Sequence, residues 1–370
     1  MPYGAGAVSR NPAQVSFFLL EQAADAAMTY FYGQLFLMDT EIRAMFPAAM
    51  DRQRRHFFRA LVRIAEGPNG PDEAAALVPY LEQLGRAHRK YGVREGHYDL
   101  FRRALMATLQ RFAASSWDEA AQQAWESMFD QAARIMIDAA KRDAEESPAW
   151  WIATVTGTEP RGPDVAVLTL APEQPLTYQP GQYVSVQTPH WPRLWRRYSI
   201  ANAPRPDGLL RLHVRAVPGG RVSTALVHQT RAGDTVVLGR ARGEMTANAV
   251  RSARVVCIAG GTGLAPVKAI AEALTSPVRP HPRPVVRLFF GARTRADLYD
   301  LPDLRRLAGA RRSLTVIPVV ADRQSLAVPA ARTIVVASTA STAQARKTAM
   351  NRAPAPMLSS SGDSLRSPAV

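Results

Sequence analysis

The chain has 370 residues, 47% of them apolar, enough to bury more than one hydrophobic core. Its formal net charge of +15 rests almost wholly on arginine, with only Lys90, Lys141, Lys268 and Lys347 as lysines; the cations are spread along the chain and form no basic run with interleaved aromatics, which argues against nucleic-acid binding. One cysteine, Cys257, excludes an intrachain disulfide and any zinc or iron–sulfur centre built on cysteines, and the absence of a membrane-length apolar run or a leader-like N-terminus leads to the expectation of a cytoplasmic protein.

Residues 12–146 read as all-helical. Glycine is sparse, and apolar residues recur at three- and four-residue spacing, as in Trp125, Met128, Phe129, Ala132, Ile135 and Met136 or Tyr98, Phe101, Leu105, Leu109 and Phe112. Breaks are expected at Pro47, at the Gly67-Pro68-Asn69-Gly70-Pro71 run and at Gly92, and Ser116 or Asp118 should cap the last long helix. From Trp150 the period becomes two. Strands are expected at 151–156, 165–170, 182–186, 210–215 and 234–238, punctuated by Pro and Gly, the pattern of a small antiparallel barrel or sandwich. From Arg254 strands alternate with helices: strands at 255–259, 285–290 and 314–320, helices at 266–274 and 301–307. That alternation implies a parallel, doubly wound sheet. Residues 321–370 hold no aromatic residue and are dominated by Ala, Ser, Thr, Arg and Pro, so disorder is expected there; only Thr333–Val336 reads as a strand.

Several positions carry chemistry. His88 lies four residues after Leu84 and seven after Leu81, on the apolar face of its helix. One such histidine is by default a satisfied core residue; the functional alternative is a haem-iron ligand. Upstream stand Phe31-Tyr32 with Phe36, then Phe46-Pro47 and Gln53; His88 opens His88-Arg89-Lys90-Tyr91, and His97-Tyr98 follows. This order resembles the bacterial globin of flavohemoglobins. The resemblance implies Tyr32 and Gln53 on the distal side of the haem, Phe46 on the porphyrin, His88 as proximal ligand and Tyr98 hydrogen-bonding near it. A phenol and an amide can both donate to iron-bound dioxygen. The family's glutamate beside the proximal ligand falls on Ala140 here, with Asp138 and Glu145 off register, which puts the tuning of the iron in question. His56 and His97 read as surface histidines.

The second half extends the likeness. Arg196-Arg197-Tyr198-Ser199 resembles the R-x-Y-S motif of the ferredoxin reductase superfamily, which implies Arg196 on the flavin pyrophosphate, Tyr198 over the isoalloxazine and Ser199 at its N5 edge. Pro180-Gly181-Gln182-Tyr183 matches the strand start of that family, and Gly219-Gly220-Arg221-Val222-Ser223-Thr224 is similar to its second flavin element, with Gly220, Val222 and Ser223 at the phosphate. Gly260-Gly261-Thr262-Gly263-Leu264-Ala265-Pro266, between a strand and a helix, reads as the nicotinamide cofactor's pyrophosphate site. Cys257 inside that strand reads as inert core.

The expected architecture is therefore multidomain: an all-α globin (12–146), an antiparallel β-barrel FAD-binding domain (150–248), a truncated α/β NAD(P)-binding domain (252–320) and a disordered tail (321–370). The family's Cys-Gly-Pro loop and terminal aromatic strand have no counterpart after Val320, so a divergent or out-of-frame end and weak NAD(P)H turnover are expected. The resemblance implies haem b, FAD and NAD(P)H as cofactors. It further implies a nitric oxide dioxygenase, with electrons running from NAD(P)H through FAD to haem and NO plus O2 converted to nitrate. A non-enzymatic O2- or NO-binding globin with a degenerate reductase, and a flavin reductase serving another acceptor, remain alternatives. NADH and NADPH are not distinguished.

Overall fold

The computed structural model describes residues 12–65, 71–278, 283–321 and 335–338. Six helices open the chain: α1 (Pro12–Gln22), α2 (Ala24–Met38), α3 (Asp51–Ala65), α4 (Pro71–His88), α5 (Glu95–Phe112) and α6 (Glu119–Glu146). Their ends follow local chemistry. After α2, Asp39 Oδ1 accepts the N–H groups of Glu41 and Ile42 and starts a 3-10 turn, Ile42–Met45. Phe46 is then extended, as a residue preceding proline prefers. A second such turn, Arg89–Tyr91, ends at Gly92 in the left-handed region at φ 76°. Of the two expected caps for α6, Asp118 serves: its side chain accepts the Ala121 N–H at 2.7 Å. Pro79 stands inside α4, which the breaks read from sequence did not include. The expected break at 67–71 lies mostly outside the described residues.

The apolar faces of α1, α2, α3, α5 and α6 meet in one cluster that contains Phe31, Leu35, Leu105, Leu109 and Trp125, all almost fully buried. Trp125 Nε1 donates to Ser16 Oγ at 2.8 Å, so the one polar atom of that indole is satisfied inside the core. A second cluster of Leu81, Ala132 and Met136 joins α4 to α6. There Gly85 presses on the partner helix, since a Cβ at that position would fall 2.1 Å from the Met136 carbonyl oxygen.

Six strands follow: β1 (Trp151–Pro160), β2 (Val165–Pro172), β3 (Tyr183–Gln187), β4 (Arg196–Ser199), β5 (Leu210–Arg215) and β6 (Thr235–Leu238). They form an antiparallel, nearly closed barrel in the order β4-β3-β6-β1-β2-β5. A bulge lies between Val155 and Gly157, where β1 shifts register against β2. A short helix, α7 (Arg221–Thr224), runs on into a wide turn, Ala225–Gln229.

The last segment holds β7 (Arg254–Gly260), α8 (Leu264–Leu274), β8 (Val285–Ala292), α9 (Leu301–Gly309), β9 (Leu314–Val320) and β10 (Val335–Ser338). β7, β8 and β9 are parallel neighbours, as expected. Right-handed crossovers that step the same way put α8 and α9 on one face of this sheet. On the covered side Val255, Cys257, Ala259, Val286, Leu288 and Phe290 are buried; on the other, Ile258, Val285 and Val319 are 45%, 50% and 46% exposed. The one strand read from the sequence of the tail, Thr333–Val336, is met in part by β10 at Val335–Ser338. These residues pair antiparallel with β7, from Val335 opposite Ile258 to Ser338 opposite Val255, where a β-branched pair suits a strand. The rest of 322–370 lies outside the described residues.

The described chain divides into two compact units. One holds the described residues up to Tyr178, α1–α6 among them, together with the segments Tyr183–Tyr198 and Pro206–Arg242; the other holds Gln179–Gln182, Ser199–Arg205 and the described residues from Gly243.

Candidate functional site

In the globin half, Tyr32 sits on α2 with 3% of its surface exposed, and its ring meets those of Phe31, Phe36, Phe46 and Phe57 at centroid distances of 5.0–6.0 Å. Gln53, from the first turn of α3, donates its Nε2 to the Tyr32 hydroxyl at 3.3 Å. The tyrosine oxygen is therefore an acceptor toward Gln53, and its own proton has no acceptor among the described residues. Burial pushes this phenol well above its ordinary pKa, against the lowering effects of Gln53 and Arg54, so it is a protonated donor at neutral pH. Phe46 joins the same cluster in its extended position before Pro47. The sequence-predicted Tyr32, Gln53 and Phe46 are thus brought together.

His88 ends α4, beyond Leu81 and Leu84, which pack in the α4–α6 cluster. Burial, reinforced by the charge of Lys90, holds its imidazole at about 4, so the ring is neutral at physiological pH. Its Nδ1 is shielded from solvent and has no hydrogen-bond partner. Tyr98 packs against the same cluster, and burial raises its phenol to about 12. No hydrogen bond from Tyr98 reaches His88 Nδ1. Ala140 supplies no acceptor either. Asp138 and Glu145 are exposed, and Asp138 lines an outer groove of α6 with Asp130, Gln131 and Arg134. His56 is exposed, as expected. His97 is half-buried and serves the fold: its Nδ1 accepts the Arg94 N–H at 3.1 Å and closes the first turn of α5.

In the barrel, Arg196 and Tyr198 lie on β4, which ends at Ser199. The Arg196 guanidinium donates to the Trp195 carbonyl at 2.9 Å, and no carboxylate among the described residues pairs with it. Burial raises the Tyr198 phenol to about 12, opposed by the Arg196 charge. Gly220 precedes α7 where nothing larger fits: a Cβ there would lie 2.4 Å from Ser223 Oγ and 2.5 Å from Val217 Cγ2. Ser223 Oγ in turn donates to the Gly220 carbonyl at 3.0 Å and accepts the Val217 N–H at 3.3 Å, fixing the turn. Val222 is buried beneath it.

In the second unit, β7 ends at Gly260, and Gly261–Gly263 make a single turn, with Gly261 at φ 52°, that passes directly into α8. Pro266 stands in the first turn of α8, where its missing N–H costs nothing. The tight strand–turn–helix expected for Gly260, Gly261, Thr262 and Gly263 is therefore formed. Gly181 belongs here too: at φ 103°, with the Met245 carbonyl 2.1 Å from where a Cβ would be, only glycine fits. Cys257 is fully buried, with its thiol pushed up to about 11, as expected of inert core.

Three domain families match the chain in order: globin over residues 29–136, the oxidoreductase FAD-binding domain over 154–246 and the oxidoreductase NAD-binding domain over 257–346. The last match continues past Val320 and includes β10. The flavohemoprotein of Bordetella parapertussis is 26% identical over 276 residues, covering 70% of this chain and 68% of its own length. The solved structure of the flavohemoglobin from Malassezia yamatoensis with bound FAD and heme superposes with a TM-score of 0.62 at 19% identity, covering 84% of each chain, a likeness of fold. The chain has the flavohemoglobin-type globin–reductase architecture. Higher identity over a shorter stretch is found in the electron transfer component of the xylene/toluene monooxygenase of Pseudomonas putida, 38% over 165 residues, or 44% of this chain. The chain spans 45% of the length of that relative and 49% of the reductase component of a Pseudomonas putida naphthalene dioxygenase system, about half of each.

Haem, FAD and a nicotinamide dinucleotide are the cofactors of these three domains. The residues present fit them. A shielded neutral imidazole suits iron, as does a phenol whose proton is left to donate. An arginine with no carboxylate partner among the described residues suits the flavin pyrophosphate, and the turn at Gly261, where a Cβ would meet nothing within 4 Å, suits that of the nicotinamide cofactor.

What the motifs do not reveal is how the globin meets the barrel. Arg89 and Arg240 both bond the buried carboxylate of Asp143. Lys90 Nζ donates to Ser185 Oγ on β3 at 3.1 Å and lies 5.0 Å from the Trp195 ring, while Tyr91 meets that ring edge-on at 6.3 Å. Arg242 donates to the Gln83 carbonyl at 3.3 Å. None of these pairs follows a spacing rule.

Proposed function

We propose that the protein is a cytoplasmic nitric oxide dioxygenase in which two NO, two O2 and one NAD(P)H give two nitrates, NAD(P)+ and one proton. When bound, haem supplies the iron at which dioxygen and nitric oxide meet, and FAD divides the two-electron input of NAD(P)H into single electrons. The residues of this chain do the rest. His88 holds the iron through a neutral imidazole. Tyr32 would direct its phenolic proton into the haem's gas-binding side, and Gln53, by bonding the phenol oxygen, would fix the direction of that donation. Phe46 packs on the porphyrin and keeps water away. Arg196 clamps the flavin pyrophosphate with the N–H groups around Gly220, Val222 and Ser223. Tyr198 covers the isoalloxazine and Ser199 bonds its edge. Gly260, Gly261, Thr262 and Gly263 bring backbone N–H groups to the nicotinamide cofactor's phosphates, with Pro266 starting the helix behind them.

The observation that carries this reading is that the segment bearing His88 is itself fastened to the flavin barrel, through Lys90 to Ser185 and Tyr91 to Trp195. A globin built only to bind gas has no need of that bond. Anaerobic addition of NADH or NADPH to the full chain, followed at the flavin and haem bands together, tests it. Bleaching of the flavin followed by conversion of the haem spectrum to the ferrous form is expected. Flavin reduction with no change at the haem sinks the proposal.

One observation favours the second reading, a globin with a degenerate reductase. The nicotinamide-binding sheet is covered on one face only among the described residues, and β10 runs antiparallel to its neighbour. Both faces of a parallel sheet are ordinarily covered. In that case NAD(P)H leaves the flavin oxidised, while dithionite still yields a ferrous, gas-binding haem.

The flavin site has its own test. Arg196→Ala removes the guanidinium and leaves β4 and its neighbours intact, so purified protein should lose most of its FAD and keep its haem. A flavin-to-protein ratio equal to that of the parent chain would remove Arg196 from the pyrophosphate site.

A further inference from the structure

We propose that Asp143 is a positioning residue: its carboxylate bolts the globin to the flavin barrel and so sets how fast electrons pass between them. The electron-passing part rests on the function proposed above; the bolt itself does not. Asp143 lies in the last turn of α6, three residues before its end, with 5% of its side chain exposed. A carboxylate so deeply placed persists only when it is paired and hydrogen-bonded. It is paired twice, once from each side. Oδ2 accepts Arg89 Nη1, from the residue that follows His88; Oδ1 accepts Arg240 Nη1, from the barrel two residues beyond β6. Both guanidiniums also reach Ser147, the residue that ends α6: Arg89 Nη2 donates to its carbonyl at 2.8 Å and Arg240 Nη1 to its hydroxyl at 3.3 Å. Arg240 further approaches Glu146 at 3.5 Å.

The geometry distinguishes this from a surface ion pair. Asp143 is 5% exposed and Arg89 13%, so salt screens that half of the contact little, while Arg240, 41% exposed on the barrel side, leaves the other half open to partial screening. Without the carboxylate, two guanidiniums would be drawn to one shared serine, with only the exposed Glu146 beside Arg240 as a nearby anion. The repulsion would be relieved by parting the two domains. The cations that flank the bolt make that parting easier, because Lys90, Arg86 and Arg242 line the same small cavity together with Arg240, and Asp143 is the carboxylate among them.

The position matters for the chemistry. Arg89 is covalently next to His88, and Arg240 follows β6, which adjoins β3; β3 adjoins β4, the strand carrying Arg196 and Tyr198. The bolt therefore joins the iron-ligand segment to the sheet neighbourhood that carries the flavin-binding residues. With both cofactors bound, the two electrons of a reduced flavin would leave singly for ferric haem, with the flavin's proton passing to solvent. Asp143 takes no part in that balance. It fixes the separation across which each electron moves.

Asp143→Asn in the full chain keeps the shape of the side chain and removes its charge. The haem content, Soret position and rate of flavin reduction by NAD(P)H should match the parent. The rate at which haem is reduced by the reduced flavin should fall tenfold or more, and limited proteolysis between Glu146 and Trp151 should speed up. Arg240→Gln, on the barrel side, should reproduce both effects, and Asp143→Glu should restore part of the rate. The Arg240 variant keeps the test open if the asparagine variant does not fold. Parent-like haem reduction and parent-like proteolysis in both variants would overturn the proposal. If the parent chain itself passes no electrons, the function above fails and the bolt is judged on proteolysis alone, where unchanged cleavage overturns it.

Discussion

Replacing His88 by alanine is expected to leave a folded protein that retains less than about a tenth of its haem, read as the Soret absorbance per protein after desalting. The imidazole makes no hydrogen bond through Nδ1, so its removal breaks no structural polar contact there, and far-ultraviolet dichroism should be unchanged. No other histidine of the helical half can take over. His97 is committed through Nδ1 to the first turn of α5, and His56 is exposed, its pKa lowered by partial burial and by Arg52, Arg59, Arg55 and Arg197. Free imidazole added to the variant should recover part of the Soret band by entering the space the ring leaves. A full Soret band in the variant without imidazole would remove His88 from the iron. The missing Nδ1 partner has a further meaning: nothing among the described residues raises the basicity of this ring through that atom, so under the proposed function His88 would hold the iron as an ordinary neutral imidazole.

The second large effect is expected in the nicotinamide-binding half. Lys268 on α8 is 7% exposed, and its ammonium sits 2.6 Å from Asp300 Oδ2 and 3.8 Å from Asp303, which is also bonded by Arg306. Asp300 is fully buried just before α9, so this contact ties the two helices that cover the sheet. Lys268→Met keeps the length of the side chain and takes the cation away from two buried carboxylates, which should cost about 3–5 kcal/mol. The measurement is the denaturant midpoint of the full chain, with Asp300→Asn added in the same background. The second change should return part of the loss, because it removes a charge that then lacks this cation. A Lys268→Met midpoint within error of the parent would show that the pair contributes nothing to folding.

Much of the architecture is legible in the sequence because it depends on local rules. Helix and strand periods follow from which face is buried, and Asp118, Gly92 and Gly261 mark turns for reasons of cap geometry and positive φ. The cofactor motifs are equally local, since a phosphate-binding turn is built from consecutive backbone groups. Tyr32 and Gln53, 21 residues apart, are linked in the sequence only by the family resemblance, and the structure brings them into contact. Asp143 carries no such mark. Its partners stand 54 and 97 residues away, and nothing in the spacing of an aspartate and two arginines in so arginine-rich a chain makes them a set. The direction of β10 is equally hidden, because a short β-branched run pairs parallel or antiparallel according to where the chain arrives. His97 departs from its sequence reading in a smaller way: the residue reads as surface, but its nitrogen closes a helix turn.

Gly85 shows how tightly the position of His88 is held. The backbone of α4 rests there on that of α6, and even a methyl group would stand 2.1 Å from the Met136 carbonyl oxygen and 2.7 Å from its carbon. The obstacle is main chain, so no rotamer change relieves it. Position 85 is closed to every side chain, although it bears no functional group. A substitution there would lever the end of α4 outward, carrying with it the imidazole three residues on and the arginine that holds Asp143. Inherited loss of cofactor in such a chain can thus begin at a residue that touches neither the iron nor the flavin.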